Sequence, residues 1–126
     1  MDAPIFDPPR LLVVDADVRT ARRLAQLLEE DGFAVDVAEG GAQAMARLLA
    51  GAPVDVLITA LLMPEVNGVA VAATARARTP GLPIIFITEH PELAPREAVS
   101  PTMVFTKPVS YAELNAAIGR LAREER

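Results

Sequence analysis

The chain has 126 residues, of which 52% are hydrophobic, and its formal net charge is −5. This length suits one domain with a single core, and the acidic balance with scattered arginines argues against binding to nucleic acid. The sequence has no cysteine, which excludes disulfides and thiolate metal sites and is compatible with a reducing cytoplasm, where we expect the protein to reside.

The two ends of the chain differ in composition from the middle. Residues 1–9 are acidic and interrupted by prolines, so we predict a flexible N-terminal segment there, one domain over residues 10–123 and a tail over residues 124–126. The N-terminus lacks the basic start and apolar run of a signal peptide, and no apolar stretch approaches the roughly 18 residues of a membrane helix. We therefore expect no membrane association, and either a stand-alone domain or one excised from a longer protein.

Strand-like and helix-like segments alternate from Arg10 to Arg123. Short runs of Val, Ile and Leu, typical of strands buried on both faces, predict strands over residues 11–14, 34–38, 54–59, 82–88 and 102–106. Apolar positions at helical spacing predict helices after the N-cap Asp17, over residues 42–50, from Gly68 to before Pro80, and after a capping box that begins at Ser110. This alternation predicts an α/β fold with a parallel sheet covered by helices on both faces.

The segment between the fourth and fifth predicted strands is an exception to this regular pattern. It contains Pro91, Pro95 and Pro101. A proline inside a helix costs about 3 kcal/mol. We therefore predict that the fourth helix is short, displaced or irregular.

Polar residues follow several of the predicted strands. In open α/β sheets, function gathers outside the carboxyl ends of the strands, where loops and helix N-termini converge. This rule selects the following positions: Asp15, Ala16, Asp17, Ala60, Thr88, Glu89 and Lys107.

The order of several motifs resembles the receiver domain of two-component response regulators over residues 10–121. The motifs are Met63-Pro64, Gly68, Thr88 and Lys107-Pro108. The resemblance implies a single flavodoxin-like domain, a doubly wound five-stranded parallel sheet with strand order 2-1-3-4-5. It also implies a cis Lys107-Pro108 bond and a place in a phosphorelay.

The chain departs from the family at the positions that carry its chemistry. In the family, two acidic residues after the first strand and an aspartate after the third hold Mg²⁺, and the Thr hydroxyl and Lys ammonium bind the phosphoryl oxygens. Asp15 matches the first acid, but Ala16 replaces the second and Ala60 replaces the aspartate that accepts the phosphoryl group. Because Mg²⁺ requires several oxygen ligands, we expect no tight Mg²⁺ binding, no metal site and no cofactor.

Three neighbouring positions add to this interpretation. Lys107 lacks its usual partner, so we predict that it pairs with Asp15 or with Glu89, although Glu89 could equally be a solvated loop residue. The aromatic switch residue of the family is replaced by Val104, and Phe105 should point to the opposite face of the sheet. We interpret His90, the only histidine, as a surface residue.

The favoured interpretation is a pseudo-receiver: a phosphorylation-independent signalling module, not an enzyme, that binds a histidine kinase, an output protein or a second copy of itself. The alternative is a phosphoacceptor receiver of a two-component phosphorelay, inactivated by an Asp-to-Ala substitution at Ala60. An enzyme or a flavin or nucleotide carrier has little support, because no glycine-rich phosphate loop follows the first strand. Outer-face arginines, namely Arg19, Arg22, Arg23, Arg120 and Arg123, could contribute to docking.

Overall fold

A computed structural model of the chain describes residues 7–95 and 101–124. Its elements are, in chain order, β1 (Arg10–Val14), α1 (Val18–Glu30), β2 (Ala34–Ala38), α2 (Gly41–Leu49), β3 (Val56–Ala60), α3 (Gly68–Arg78), β4 (Ile84–Thr88), a 3₁₀ turn (Pro91–Leu93), β5 (Thr102–Thr106) and α4 (Tyr111–Glu124). None of the described helices combines the length and apolar character that crossing a bilayer requires.

All strand pairs are parallel, and the sheet order is β2-β1-β3-β4-β5. Val13 is in register with Ile58, and Ile58 with Ile85, so apolar side chains form rows across the sheet. The predicted fold class, a doubly wound flavodoxin-like five-stranded sheet, is confirmed.

Two strands start later than their sequence patterns predict. The third was predicted from Val54 but begins at Val56. At this end of the sheet the Arg10 N–H donates a hydrogen bond to the side chain of Asp55 at 2.8 Å, and the backbone ladder begins only after that residue. The fourth was predicted from Leu82 but begins at Ile84. Pro83 precedes it and has no N–H to donate to a ladder.

The predicted irregularity after β4 is present. Where a fourth βα unit would carry an α-helix, the described residues form only the 3₁₀ turn at Pro91–Leu93. Residues 96–100, which fall within the predicted irregular helix, lie outside the described residues. The described residues therefore hold four α-helices, which follow β1, β2, β3 and β5.

The alternation of side chains along the strands gives the sheet two apolar faces. On one face, Leu12, Leu57 and Phe86 pack against α2 and α3. On the other, residues such as Ile58 and Ile87 pack against α1 and α4. Both faces are buried, as is expected of a parallel sheet between helical layers.

Candidate functional site at the carboxyl ends of the strands

Four strands bring the predicted site residues to one edge of the sheet. Asp15 follows β1, Ala60 ends β3, Thr88 ends β4 and Lys107 follows β5. The N–H of Lys107 donates to the Thr88 carbonyl at 2.9 Å, which continues the β4–β5 pairing into the loop and fixes the start of the lysine side chain. Asp15, Ala60, Lys107 and Glu89 all line the same cleft.

Lys107 pairs with the one acidic residue that the site retains. Its Nζ lies 3.5 Å from Asp15 Oδ2, and the side chains are 30% and 13% exposed, respectively. The other Asp15 oxygen, Oδ1, accepts a hydrogen bond from the Asp17 N–H at 2.9 Å. Of the two predicted partners the structure thus has Asp15, whereas Glu89 is exposed and makes no ion pair within the described part of the chain.

Ala60 presents a methyl group where the resemblance calls for a carboxylate. The residue is 6% exposed and follows Ile58 by two positions, so its side chain shares the face of Ile58. Its carbonyl lies so close to Gly68 that a β-carbon at residue 68 would overlap it. The Gly68 motif therefore serves packing of α3 against the end of β3, independently of phosphoryl chemistry.

Asp17 is the N-cap of α1, as predicted. Its Oδ1 accepts hydrogen bonds from the N–H groups of Arg19 at 3.1 Å and Thr20 at 3.3 Å. The bond from the Thr20 backbone is the largest cause of its lowered pKa, because it stabilises the charged carboxylate. The cap holds this oxygen at the start of α1, next to the exposed Ala16.

The residues at this edge do not fit a magnesium ion. Mg²⁺ binds through oxygen ligands in near-octahedral geometry, and of the three family carboxylates only Asp15 is present. One of its oxygens faces the Lys107 ammonium, which repels a cation. Within residues 7–95 and 101–124, no group of three or more His, Cys, Asp or Glu side chains is placed to hold a metal ion.

The hydroxyl of Thr88 is used by its own loop. It accepts a hydrogen bond from the His90 N–H at 2.9 Å and is buried. His90 itself is exposed, and its Nδ1 lies 3.4 Å from Glu92 Oε2. This arrangement stabilises the turn after β4, and Glu92 is the one ion-pair partner of His90 within residues 7–95 and 101–124.

The two residues before Thr106 face opposite sides of β5, as predicted. Val104 is 38% exposed, and Phe105 packs into the apolar cluster on the α1 and α4 face. The ring of Phe105 is therefore turned away from the position that the family uses as a switch. The Lys107-Pro108 bond is cis, as the resemblance implied.

A cleft between α1 and α4 opens directly beside this edge. Its volume is about 710 Å³, and Ala60 and Lys107 lie in its lining with apolar residues from α1 and the sheet. Sequence reasoning did not predict this cleft. Helical spacing identifies the inward-facing residues of each helix, but it carries no signal for the gap between two helices that are far apart in the chain.

Comparison with known proteins agrees with this geometry. The sequence matches the family model of the response regulator receiver domain over residues 11–119. It is 35% identical over 114 residues to the transcriptional regulatory protein GlrR of Escherichia coli K12, with 88% of this chain and 26% of that protein covered. It is 30% identical over 119 residues to the transcriptional regulatory protein CusR of the same strain, with 90% and 51% covered.

The fold superposes with a TM-score of 0.82 on the signal receiver domain of an HD domain-containing protein from Pseudomonas fluorescens Pf-5. The two sequences are 27% identical, and the superposition covers 98% of this chain and 93% of the other. The chain spans about a quarter to a half of the length of the curated relatives it matches. Sheet order, motif positions and the family match agree, and the chain belongs to the response regulator receiver domain family.

Proposed function

We propose that this receiver domain signals through protein–protein interaction without being phosphorylated. The observation that carries the proposal is the buried methyl group of Ala60 at the end of β3. A methyl group has no oxygen to attack a phosphoryl donor, and no other carboxylate occupies that position. Asp15, the nearest acid of the family pattern, already faces Lys107.

The electrostatics of the site support the same proposal. Phosphoryl transfer depends on cations that neutralise the negative charge of the transferring group. In metal-dependent reactions, Mg²⁺ supplies most of this positive charge. Here Ala16 and Ala60 remove two of the expected metal ligands. The Lys107 ammonium is held by Asp15 at 3.5 Å, so the charge of the lysine is partly balanced before any phosphate arrives.

The proposed partner is a signalling protein or a second copy of the chain. Receiver domains interact with histidine kinases and output domains in two-component systems. Without a phosphorylation step, this domain would bind its partner in one standing conformation. The family's aromatic switch position is occupied by Val104, an exposed aliphatic residue on β5. This supports a receiver that lacks the aromatic switch.

The direct test is incubation with Mg²⁺ and acetyl phosphate, followed by intact-protein mass spectrometry. We expect no mass increase in the wild-type chain. A stable phosphoryl adduct at an acidic residue would contradict the proposal.

Variants that reintroduce carboxylates distinguish a receiver that has lost several phosphorylation residues from one inactivated by a single Asp-to-Ala substitution. We expect Ala60→Asp to remain unphosphorylated or to react slowly, and the double variant Ala16→Asp with Ala60→Asp to react faster, because it also restores a metal ligand. Ala60→Asn is the matched control, with similar size and no nucleophile. Rapid Mg²⁺-dependent labelling of Ala60→Asp alone would favour the alternative, a phosphoacceptor receiver inactivated by one substitution.

A further inference from the structure

The cleft between α1 and α4 has the size and lining of a small-molecule site. Its volume of about 710 Å³ lies within the range of about 300–1,000 Å³ typical of ligand pockets. Beneath it lie Val13, Ile58 and Ile87, which are 2%, 1% and 8% exposed. Half-buried apolar side chains, including Leu24 and Leu27, form its walls.

Ala60 joins this apolar lining to the polar edge of the sheet. A carboxylate at this position would place a charge beside Ile58, and burial of a charge is costly. The methyl group instead extends the apolar surface as far as the Lys107 side chain, which also lines the cleft. The substitution that removes the phosphoryl acceptor therefore also makes the inner end of the cleft suitable for an apolar group.

The charged groups at the mouth favour an anionic head group. Both Asp15 oxygens already accept hydrogen bonds, one from the Asp17 N–H and one from Lys107. An ammonium has three N–H donors, and Lys107 uses one of them on Asp15, so donors remain for a ligand. Arg23 adds a second cation to the lining, and Glu89 is the one acid there without an ion pair among the described residues.

We propose that this cleft binds a small organic monocarboxylate with an apolar tail, of the size of a medium-chain fatty acid. The tail lies between α1 and α4 against the half-buried side chains of Leu24 and Leu27, and the carboxylate accepts hydrogen bonds from Lys107. A single negative charge matches the N–H donors of Lys107 that remain after it pairs with Asp15. A dianionic phosphate would be repelled more strongly by Asp15 and Glu89, and it would make no use of the apolar walls. This site is independent of the proposed signalling role and of any phosphorylation.

Isothermal titration calorimetry with decanoate, below its micelle concentration, tests the proposal. Decanol, decylammonium and acetate are the matched probes, because they remove the charge, reverse it or remove the tail. We expect decanoate to bind at least about tenfold more tightly than decylammonium, since charge-assisted hydrogen bonds to Lys107 would be replaced by repulsion. Acetate should show no measurable binding. Equal affinity for decanoate and decylammonium would overturn the proposal.

Three variants locate the site. Lys107→Gln should weaken decanoate binding about tenfold, because the charged donor is lost. Ala60→Asp should weaken it by a similar factor, since a carboxylate would enter the lining. Glu89→Gln should strengthen it about threefold by removing a solvent-screened like charge. Arg120→Gln, an exposed cation on α4 outside the cleft, is the control and should change nothing.

Backbone NMR shifts provide the second readout and also check that each variant is folded. On addition of decanoate we expect the largest shifts at α1, the end of β3 and the β5–α4 connection. Unchanged affinity in Lys107→Gln, or shifts spread over the whole surface, would show that decanoate binds nonspecifically and would overturn the proposal.

Discussion

The two faces of the sheet are built on different principles. On the α2 and α3 face a glycine stands at the start of each helix, in close contact with the end of β3 or with the loop that follows it. A β-carbon at Gly41 would overlap Val66, and one at Gly68 would overlap the carbonyl of Ala60. The two helices are in broad contact with each other. At these two contacts the close packing leaves no room for an added methyl group.

The α1 and α4 face is held partly by polar groups and contains the cleft. The Tyr111 hydroxyl at the start of α4 lies 2.6 Å from Asp31 Oδ2 and 2.9 Å from the Leu27 carbonyl at the end of α1. Asn115 Nδ2 donates to the same Asp31 oxygen at 2.8 Å. These contacts, which we call the Tyr111 clamp, join the two helices across the cleft.

The difference indicates where the sequence can change without loss of the fold. Gly68 serves close packing and is retained, whereas Ala60, whose side chain lies on the cleft side of the same strand end, departs from the family pattern. A substitution on the open face removes chemistry at little structural cost. A substitution at a packed contact such as Gly68 would instead lower the stability of the fold.

The largest expected effect compares neighbouring residues of β3 that face opposite sides. Leu57→Ala should destabilise the domain by about 4 kcal/mol, because the cavity that it leaves is enclosed by α2 and α3. Ile58→Ala should cost about 3 kcal/mol, because the space that it leaves adjoins the cleft and neighbouring side chains can relax to fill part of it. Both side chains are fully buried in the wild-type chain. Urea unfolding measures the two losses. Equal losses would show that the faces are packed alike.

The second prediction adds volume instead of removing it. Gly68→Ala should cost about 3 kcal/mol, because the new methyl group overlaps the Ala60 carbonyl and α3 must shift. Ala60→Val is the matched variant and should cost less than about 1 kcal/mol, since its methyl groups extend into the cleft and β-branched residues suit strands. Thermal unfolding followed by circular dichroism compares them. A larger cost at Ala60 would contradict an open cleft.

The third prediction tests the Tyr111 clamp. Tyr111→Phe should destabilise the domain by about 1 kcal/mol, because the ring is kept and the hydroxyl contacts to Asp31 and Leu27 are lost. Amide hydrogen exchange should show faster exchange at the end of α1 than in α2 and α3. Uniform acceleration in all helices would indicate that the clamp has no local role.

The pH dependence of stability provides a further readout of the Tyr111 clamp. Burial, and after it the hydrogen bond with Asp31, raises the pKa of Tyr111 above its ordinary value. A raised pKa means that the folded state favours the protonated phenol, so this stabilisation is complete below the unfolded pKa and is lost as the pH rises through the folded one. As the pH rises above about 10, the wild-type chain should therefore lose more stability than Tyr111→Phe. Parallel losses would contradict this assignment.

The sequence by itself determined the fold and the absence of a phosphoryl-accepting carboxylate at residue 60. Uninterrupted apolar runs and helical spacing are local patterns, and they identified all five strands, with β5 at the predicted bounds over residues 102–106. The order of Met63-Pro64, Gly68 and Lys107-Pro108 identified the family, and Ala60 is visible as a departure because that order fixes its position. The Asp17 cap was predictable for the same reason, since it depends on residues within one turn.

Only the tertiary structure decided the partner of Lys107, the start of β3 and the cleft. Lys107 and Asp15 are 92 positions apart, and both Asp15 and Glu89 were chemically acceptable partners, so the choice depends on how four strand ends are spaced. Asp55 closes the start of β3 by bonding to Arg10 in another strand. The cleft depends on the separation of α1 and α4, which the Tyr111 clamp joins. Distances between elements that are remote in the chain follow from their packing, and local patterns do not encode them.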